Sequence, residues 1–156
     1  MPTALRVDNL WKSYAAGVVG CSARVWALRG CSFEIGFGER VAIVGSRGAG
    51  KTTLLRCISG ERRMDAGHID VTLPIRRWYS DQAGEDRARM TSSGLLLVDD
   101  QELPVMLRRL DGTMIVASRD VASVRSLVDR ILLLRDGRIS PLTRLAVRRV
   151  AERIVQ

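Results

Sequence analysis

The sequence predicts an α/β fold: a largely parallel sheet flanked by helices, preceded by an N-terminal antiparallel β region. Three observations lead there. Short apolar, β-branched runs alternate with helix-patterned stretches, the order that builds a parallel sheet. One run, Arg40–Val44, passes through a glycine-rich turn straight into a helix pattern. Another, Leu95–Asp99, is four aliphatic residues ending on a carboxylate.

Residues 4–14 (ALRVDNLWKSY) begin as a strand, 15–23 form a loop or hairpin tip, and 25–35 (VWALRGCSFEI) alternate as the partner strand. GFGER (36–40) turns the chain into the buried strand RVAIV (40–44). KTTLLRCISG (51–60) is a helix with Leu54, Leu55 and Ile58 on one side and Gly60 as its stop. DAGHIDVTL (65–73) holds a turn and a strand, and the polar residues 80–93 read as a loop or short helix. LLLVDD (95–100) and DGTMIVAS (111–118) are buried strands. In 119–130, Val121, Val124, Leu127 and Val128 share a helical face. ILLLRDGRI (131–139) is a hairpin turning at Asp136–Gly137. Residues 141–156 form a C-terminal helix, with Ser140 as N-cap and Pro141 in the first turn. The expected organisation is therefore one domain, 1–156: an antiparallel region over 1–40, a phosphate-loop core over 41–140, and the terminal helix.

Hydrophobic residues make up 46% of the 156 positions and aromatics only 4%, so the core is mostly aliphatic. Lys and Arg number 25 against 17 acids, a net charge of +8 that suits an acidic partner: nucleotide, nucleic acid or anionic membrane surface. The excess is scattered in short pairs such as Arg62–Arg63, Arg76–Arg77, Arg108–Arg109 and Arg148–Arg149, which read as solvated. Without a basic tract or an aromatic-interleaved platform, nucleic acid is disfavoured. Cys21, Cys31 and Cys57 are odd in number and lack metal-like spacing, as in a reducing cytosol. His68 is the single histidine, which excludes histidine-rich metal sites. No signal peptide and no apolar run long enough to span a bilayer is expected.

Gly45–Thr53 reads GSRGAGKTT and fits G-x-x-x-x-G-K-[ST]. Such a loop wraps an anion in backbone N–H groups, and its glycines permit the turned dihedrals that aim them inward. Lys51 reaches the outer phosphates and the Thr52 hydroxyl can ligate Mg²⁺. The strand before and the helix after complete the context, since a helix N-terminus favours an anion. A magnesium-binding carboxylate is then needed at a buried strand end, where Asp99 stands. Asp100 either activates the attacking water as general base or is solvated.

With these blocks in place, 4–60 and 95–140 resemble the nucleotide-binding domain of ATP-binding cassette (ABC) proteins, a P-loop NTPase core. The resemblance implies ATP with Mg²⁺. It assigns Gly45, Ser46, Arg47, Gly48, Ala49, Gly50, Lys51, Thr52 and Thr53 to the Walker A loop and Asp99 to Walker B. Tyr14 matches the aromatic residue that stacks on adenine, with Trp11 as a nearby alternative and sheet packing the simpler role for either ring.

Departures accompany it. The position of the family's catalytic glutamate holds Asp100, one methylene shorter, and a base must come within ~3 Å of its water. The switch-histidine position holds Arg119, which stays charged and relays no proton, although it can contact a γ-phosphate or lie solvated. Asp99 follows Lys51 by only 48 positions (99 − 51), too few for the helical subdomain and the signature between them. Residues 83–90 (AGEDRARM) resemble a remnant without its serine-glycine-glycine core, and Gln82 could stand in for the magnesium-contacting glutamine. QELP (101–104) does not match the dimer-contacting loop.

Three readings follow. One is a minimal ATP-binding module with weak or no hydrolysis. Another is an active ATPase subunit of a transporter or other assembly, completed by a partner. The third is a basic interaction or nucleic-acid-associated protein retaining the fold. A protein partner, self-association through the terminal helix, and a cytoplasmic place peripheral to a membrane complex accompany the first two.

Overall fold

The computed structural model describes residues 2–17, 19–20, 22–78, 94–99 and 111–142. Their strands form two sheets. In the antiparallel one, β1 (Thr3–Ala15) lies between β2 (Arg24–Gly36) and β4 (Ala66–Val71). The other has the order β5 (Ile75–Trp78), β6 (Leu95–Asp99), β7 (Thr113–Ser118), β3 (Arg40–Val44), β8 (Arg130–Arg135), β9 (Arg138–Pro141). All its pairings are parallel except β8–β9.

Val41–Val44, Leu95–Val98 and Thr113–Ser118 are buried without alternation, as expected of central parallel strands covered on both faces. On one face Leu54, Leu55 and Ile58 of α1 (Lys51–Ile58) join Leu5, Leu10, Leu28 and Ile35 of the antiparallel sheet in a single core with Ile43, Leu97 and Ile115. The two sheets thus share one interior. α1 ends as anticipated, with Gly60 in the left-handed region (φ 81°) and its N–H on the Cys57 carbonyl. Asp136 (φ 49°) and Gly137 (φ 74°) make the tight β8–β9 turn.

Four differences from the expected elements stand out. β5 was not anticipated: its Arg76 and Arg77 hide an edge strand that exists because Ile75–Trp78 pairs with Leu95–Val98. β4 follows α1 in sequence yet joins the antiparallel sheet, which is therefore not confined to 1–40. The helix expected over 119–130 is the single turn α2 (Val121–Val124), because the chain must reach β8 at Arg130. Val121, Val124 and Leu127 are nonetheless buried, and Val128 packs against the same cluster. Finally, Ser140 and Pro141 complete β9 instead of capping a helix. Pro141 sits on an edge strand opposite Leu132, where a missing N–H does no harm. The remainder of the expected terminal helix, 143–156, lies outside the described residues, as do Cys21 and the arginine pairs at 108–109 and 148–149. Arg62 and Arg63 are exposed as expected, whereas Arg77 is largely covered and paired with Glu61.

β1 is held to the start of β4 by one carboxylate. Asp65 accepts from both the backbone N–H and the hydroxyl of Ser13, each at 2.7 Å. Lys12 and Arg24 approach it at 3.5 and 3.8 Å. The two Ser13 bonds, then the two cations, hold the Asp65 carboxyl below the ordinary aspartate range against a small burial cost. A folded-state pKa below the unfolded one gives stability that is present above about pH 4 and lost as pH falls through the folded value. The melting-temperature gap between wild type and Asp65→Asn should therefore be widest near pH 6–7 and close as the pH falls below about 4. A gap independent of pH in that range would show that Asp65 acts by shape alone.

Candidate functional site

β3, β6 and β7 are neighbours and parallel, so their C-terminal ends open on the same side of the sheet. Val44 is in register with Ser118, and Asp99 with Ala117. The loop after β3, the end of β6 and the turn after β7 thereby converge. The Gly45 N–H donates to the Ser118 carbonyl at 3.2 Å, tying the start of the glycine loop to the residue before Arg119.

The loop's own geometry explains its composition. A Cβ on Gly45 would come 2.4 Å from the Leu134 carbonyl oxygen of β8, so only glycine passes there. Gly50 caps α1 in the left-handed region (φ 105°), and a Cβ would lie 2.6 Å from the Ala27 carbonyl of β2. Ser46, Arg47 and Gly48 form an exposed crest, while Ala49 is tucked into the core. Thr52 is exposed at the start of α1, and Thr53 is half-buried behind it.

Lys51 folds back over this crest. Its Nζ donates to the carbonyls of Gly45 at 2.6 Å and Ser46 at 2.8 Å. Burial pulls its pKa below the usual lysine range; the Asp99 carboxylate opposes that drop and the Arg119 guanidinium adds to it. Lys51 thus feels both groups, which come from two different strand ends. Asp99 is half-buried and Arg119 exposed. Asp100, Gln82 and residues 83–90 lie outside the described residues.

The two aromatic alternatives separate. Trp11 is committed to the sheet: its ring meets Trp26 edge-on at 5.3 Å, its indole N–H donates to Asn9 at 2.9 Å, and it lies over Gly30. Tyr14 reaches the phosphate loop instead, its hydroxyl 3.3 Å from that of Thr53. Lys12 Nζ stands over the Tyr14 ring, 5.3 Å from its centroid. Lys12 and Asp65 were missed as neighbours of the site. The signal for Lys12 was blurred: residues two apart on a strand share a face, but β1 shifts register between Lys12 and Ser13.

The site can hold a triphosphate and a divalent cation. The crest is a backbone loop at a helix N-terminus, and a Cβ on Gly48 (φ 80°) would meet nothing within 4 Å, so its outer side is open. Lys51 is a cation already lodged against the loop. Thr52 and Asp99 offer the hard oxygen donors that magnesium requires. Among the described residues no cluster of His, Cys, Asp and Glu forms a protein-only metal site, so a metal here would depend on such sparse ligation.

A parallel sheet carrying this loop and an acidic strand end defines a phosphate-loop nucleotide-binding protein. The family model for ABC transporters matches residues 28–127, most of the chain. This chain belongs to the ABC transporter family, as an ATP-binding domain. It is similar to the tylosin resistance ATP-binding protein TlrC of Streptomyces fradiae, 37% identical over 94 residues, which are 58% of this chain and 17% of that protein. It is 36% identical over 87 residues to the polysialic acid transport ATP-binding protein KpsT of Escherichia coli, covering 56% and 37% of the two chains. For the histidine transport ATP-binding protein HisP of Pseudomonas aeruginosa the figures are 36% over 85 residues, 54% and 30%. The matched segments span between 17% and 37% of these relatives. In fold, the chain is similar to a nucleotide-free ATP-binding cassette from an ABC transporter, with a TM-score of 0.71 at 14% identity, covering 99% of this chain and 98% of that one. A dimeric post-hydrolysis cassette bound to ADP and Pi gives 0.65 at 16% identity, covering 89% and 99%. The fold is thus the ABC-type P-loop core, and among the described residues there is no helical subdomain. Among the described residues no helix is long and apolar enough to cross a membrane.

Proposed function

We propose that the chain is a minimal ABC-type ATP-binding module that holds Mg-ATP in the loop Gly45–Thr53 and hydrolyses it slowly or not at all. The observation that carries this is the convergence on one sheet edge of Lys51, Asp99 and Arg119 around an open backbone cradle. Lys51 exchanges its bonds to the Gly45 and Ser46 carbonyls for the outer phosphates. Tyr14 offers a ring face to the base from its position beside Thr53. Thr52 and Asp99 would hold the magnesium, whose charge would offset that of the phosphates. Arg119 adds a second fixed cation at the γ end.

What is weak is the machinery for cleavage. Asp100 carries its carboxylate on a shorter stem than the glutamate of the resembled family. Arg119 cannot take and return a proton near neutral pH. Asp99 follows Lys51 by only 48 positions (99 − 51), and the residues between hold no serine-glycine-glycine signature with which to complete a second copy's site. The kinship with transport ATP-binding proteins supports a place on the cytoplasmic side, peripheral to a membrane complex, with a protein partner or second copy.

Nucleotide titration with and without Mg²⁺, followed by phosphate release on the same sample, tests this. Binding that strengthens with Mg²⁺ and turnover far below ~10 s⁻¹ is expected. Turnover at that level in the isolated chain, abolished by Asp99→Asn, would overturn the slow-hydrolysis reading. Turnover that appears only with an added partner would favour an ATPase subunit completed in an assembly.

A further inference from the structure

Around Tyr14 the structure shows more than a ring near the loop. Its hydroxyl is 3.3 Å from the Thr53 hydroxyl, on the helix that follows the phosphate loop. One of its faces is occupied by Lys12 Nζ, 5.3 Å from the ring centroid. The Lys12 side chain is only 15% exposed, and its ammonium lies 3.5 Å from Asp65. Asp65 in turn grips Ser13, the residue between them, through both its N–H and its hydroxyl. The Asp65 N–H donates to the Trp11 carbonyl at 2.9 Å. Every residue from Trp11 to Tyr14 is thereby fixed, and all but Tyr14 through Asp65.

From this geometry we infer that Lys12 is a positioning residue for the nucleobase, acting through the Tyr14 ring; the inference rests on the ATP-binding reading above. A cation on one face of an aromatic ring is held by the ring's quadrupole. It blocks that face, so a planar base can stack only on the other. It also draws electron density from the ring, which favours an electron-rich purine on the opposite side. Asp65 keeps the ammonium in place and away from the phosphates. Lys12 thus serves base recognition, whereas Lys51 serves the phosphates, and the two cations have separable effects.

The test uses two probes, ATP and inorganic tripolyphosphate, in titrations of the full chain. Lys12→Met keeps the stem and removes the charge. It is expected to weaken ATP roughly three- to fivefold, the size of a partly covered cation–π contact, and to leave tripolyphosphate within about twofold. Lys12→Arg should restore ATP binding, and Lys12→Met should add nothing in a Tyr14→Leu background. Lys12→Gln, which keeps a donor for Asp65 without the charge, serves where Lys12→Met lowers the yield of folded protein. Equal weakening of both probes would assign Lys12 to the phosphates and overturn the inference. So would an unchanged ATP affinity, or a loss that persists without the Tyr14 ring. Failure of the underlying ATP reading looks different: Lys51→Ala would then leave tripolyphosphate binding intact.

Discussion

Lys51→Ala is expected to lower ATP affinity by about 10- to 100-fold, the value of one or two hydrogen bonds between charged groups in a partly desolvated site. Lys51 is a partly buried cation, and its ammonium sits on the Gly45 and Ser46 carbonyls at the mouth of the cradle. Removing it takes the ammonium from the Gly45 carbonyl, leaves the Ser46 carbonyl with the Ala49 N–H at 3.1 Å, and strips the site of its main inner charge. Calorimetric titration of ATP against wild type and variant measures the loss, and a melting curve of each separates it from loosening of the loop. An unchanged affinity with an intact fold would remove the phosphate loop as the binding site.

Gly50→Ala should be the most damaging single methyl in the loop, costing ~3 kcal/mol or more of stability. Two penalties coincide there: a left-handed backbone (φ 105°) and a Cβ only 2.6 Å from the Ala27 carbonyl. The atom it would strike is backbone, so strand β2 or the start of α1 must shift. Gly48→Ala is the control, since its backbone is also left-handed (φ 80°) but a Cβ there meets nothing within 4 Å. It should cost only ~1–2 kcal/mol, the left-handed strain alone. Urea melts of the two variants decide the matter; equal losses would mean that the contact with Ala27 is not limiting.

How much of this was legible beforehand depended on range. The strands Arg40–Val44 and Leu95–Asp99 announce themselves locally, because burial on both faces demands unbroken aliphatic runs. The glycine loop is equally local: its fixed spacing encodes its own backbone path. Ile75–Trp78 was illegible because two arginines mask an edge strand that only its neighbour β6 defines. Ser140–Pro141 has the composition of a helix start, and the same residues suit an edge strand; the pairing with Leu132 and Leu133 decided between them. At the site, the sequence put Gly45–Thr53 after one strand and Asp99 at the end of another, and the resemblance singled out Arg119; that these strand ends lie side by side is known only from the pairing. The sequence left Trp11 and Tyr14 undecided, because β1 shifts register between Leu10 and Trp11 and again between Lys12 and Ser13. Alternation cannot be counted through such irregularities. Asp65 was hidden for another reason: it follows β1 by some fifty positions and meets it only after α1 has turned the chain back.

The Ala27 carbonyl lies against Gly50 on one side and Gly137 on the other, where a Cβ would come within 2.8 Å of it. Beside it the Arg29 N–H and the Cys31 thiol both donate to the Gly137 carbonyl, at 2.7 and 3.1 Å. One peptide of the antiparallel sheet is therefore keyed into two notches, one at the cap of α1 and one at the β8–β9 turn. The two layers are expected to unfold together at this seam, with the Arg29 amide exchanging its hydrogen only on global opening, which native-state hydrogen exchange would check. In a chain with so short a stretch between Lys51 and Asp99, that seam pins the last turn of the glycine loop, at Gly50, against β2.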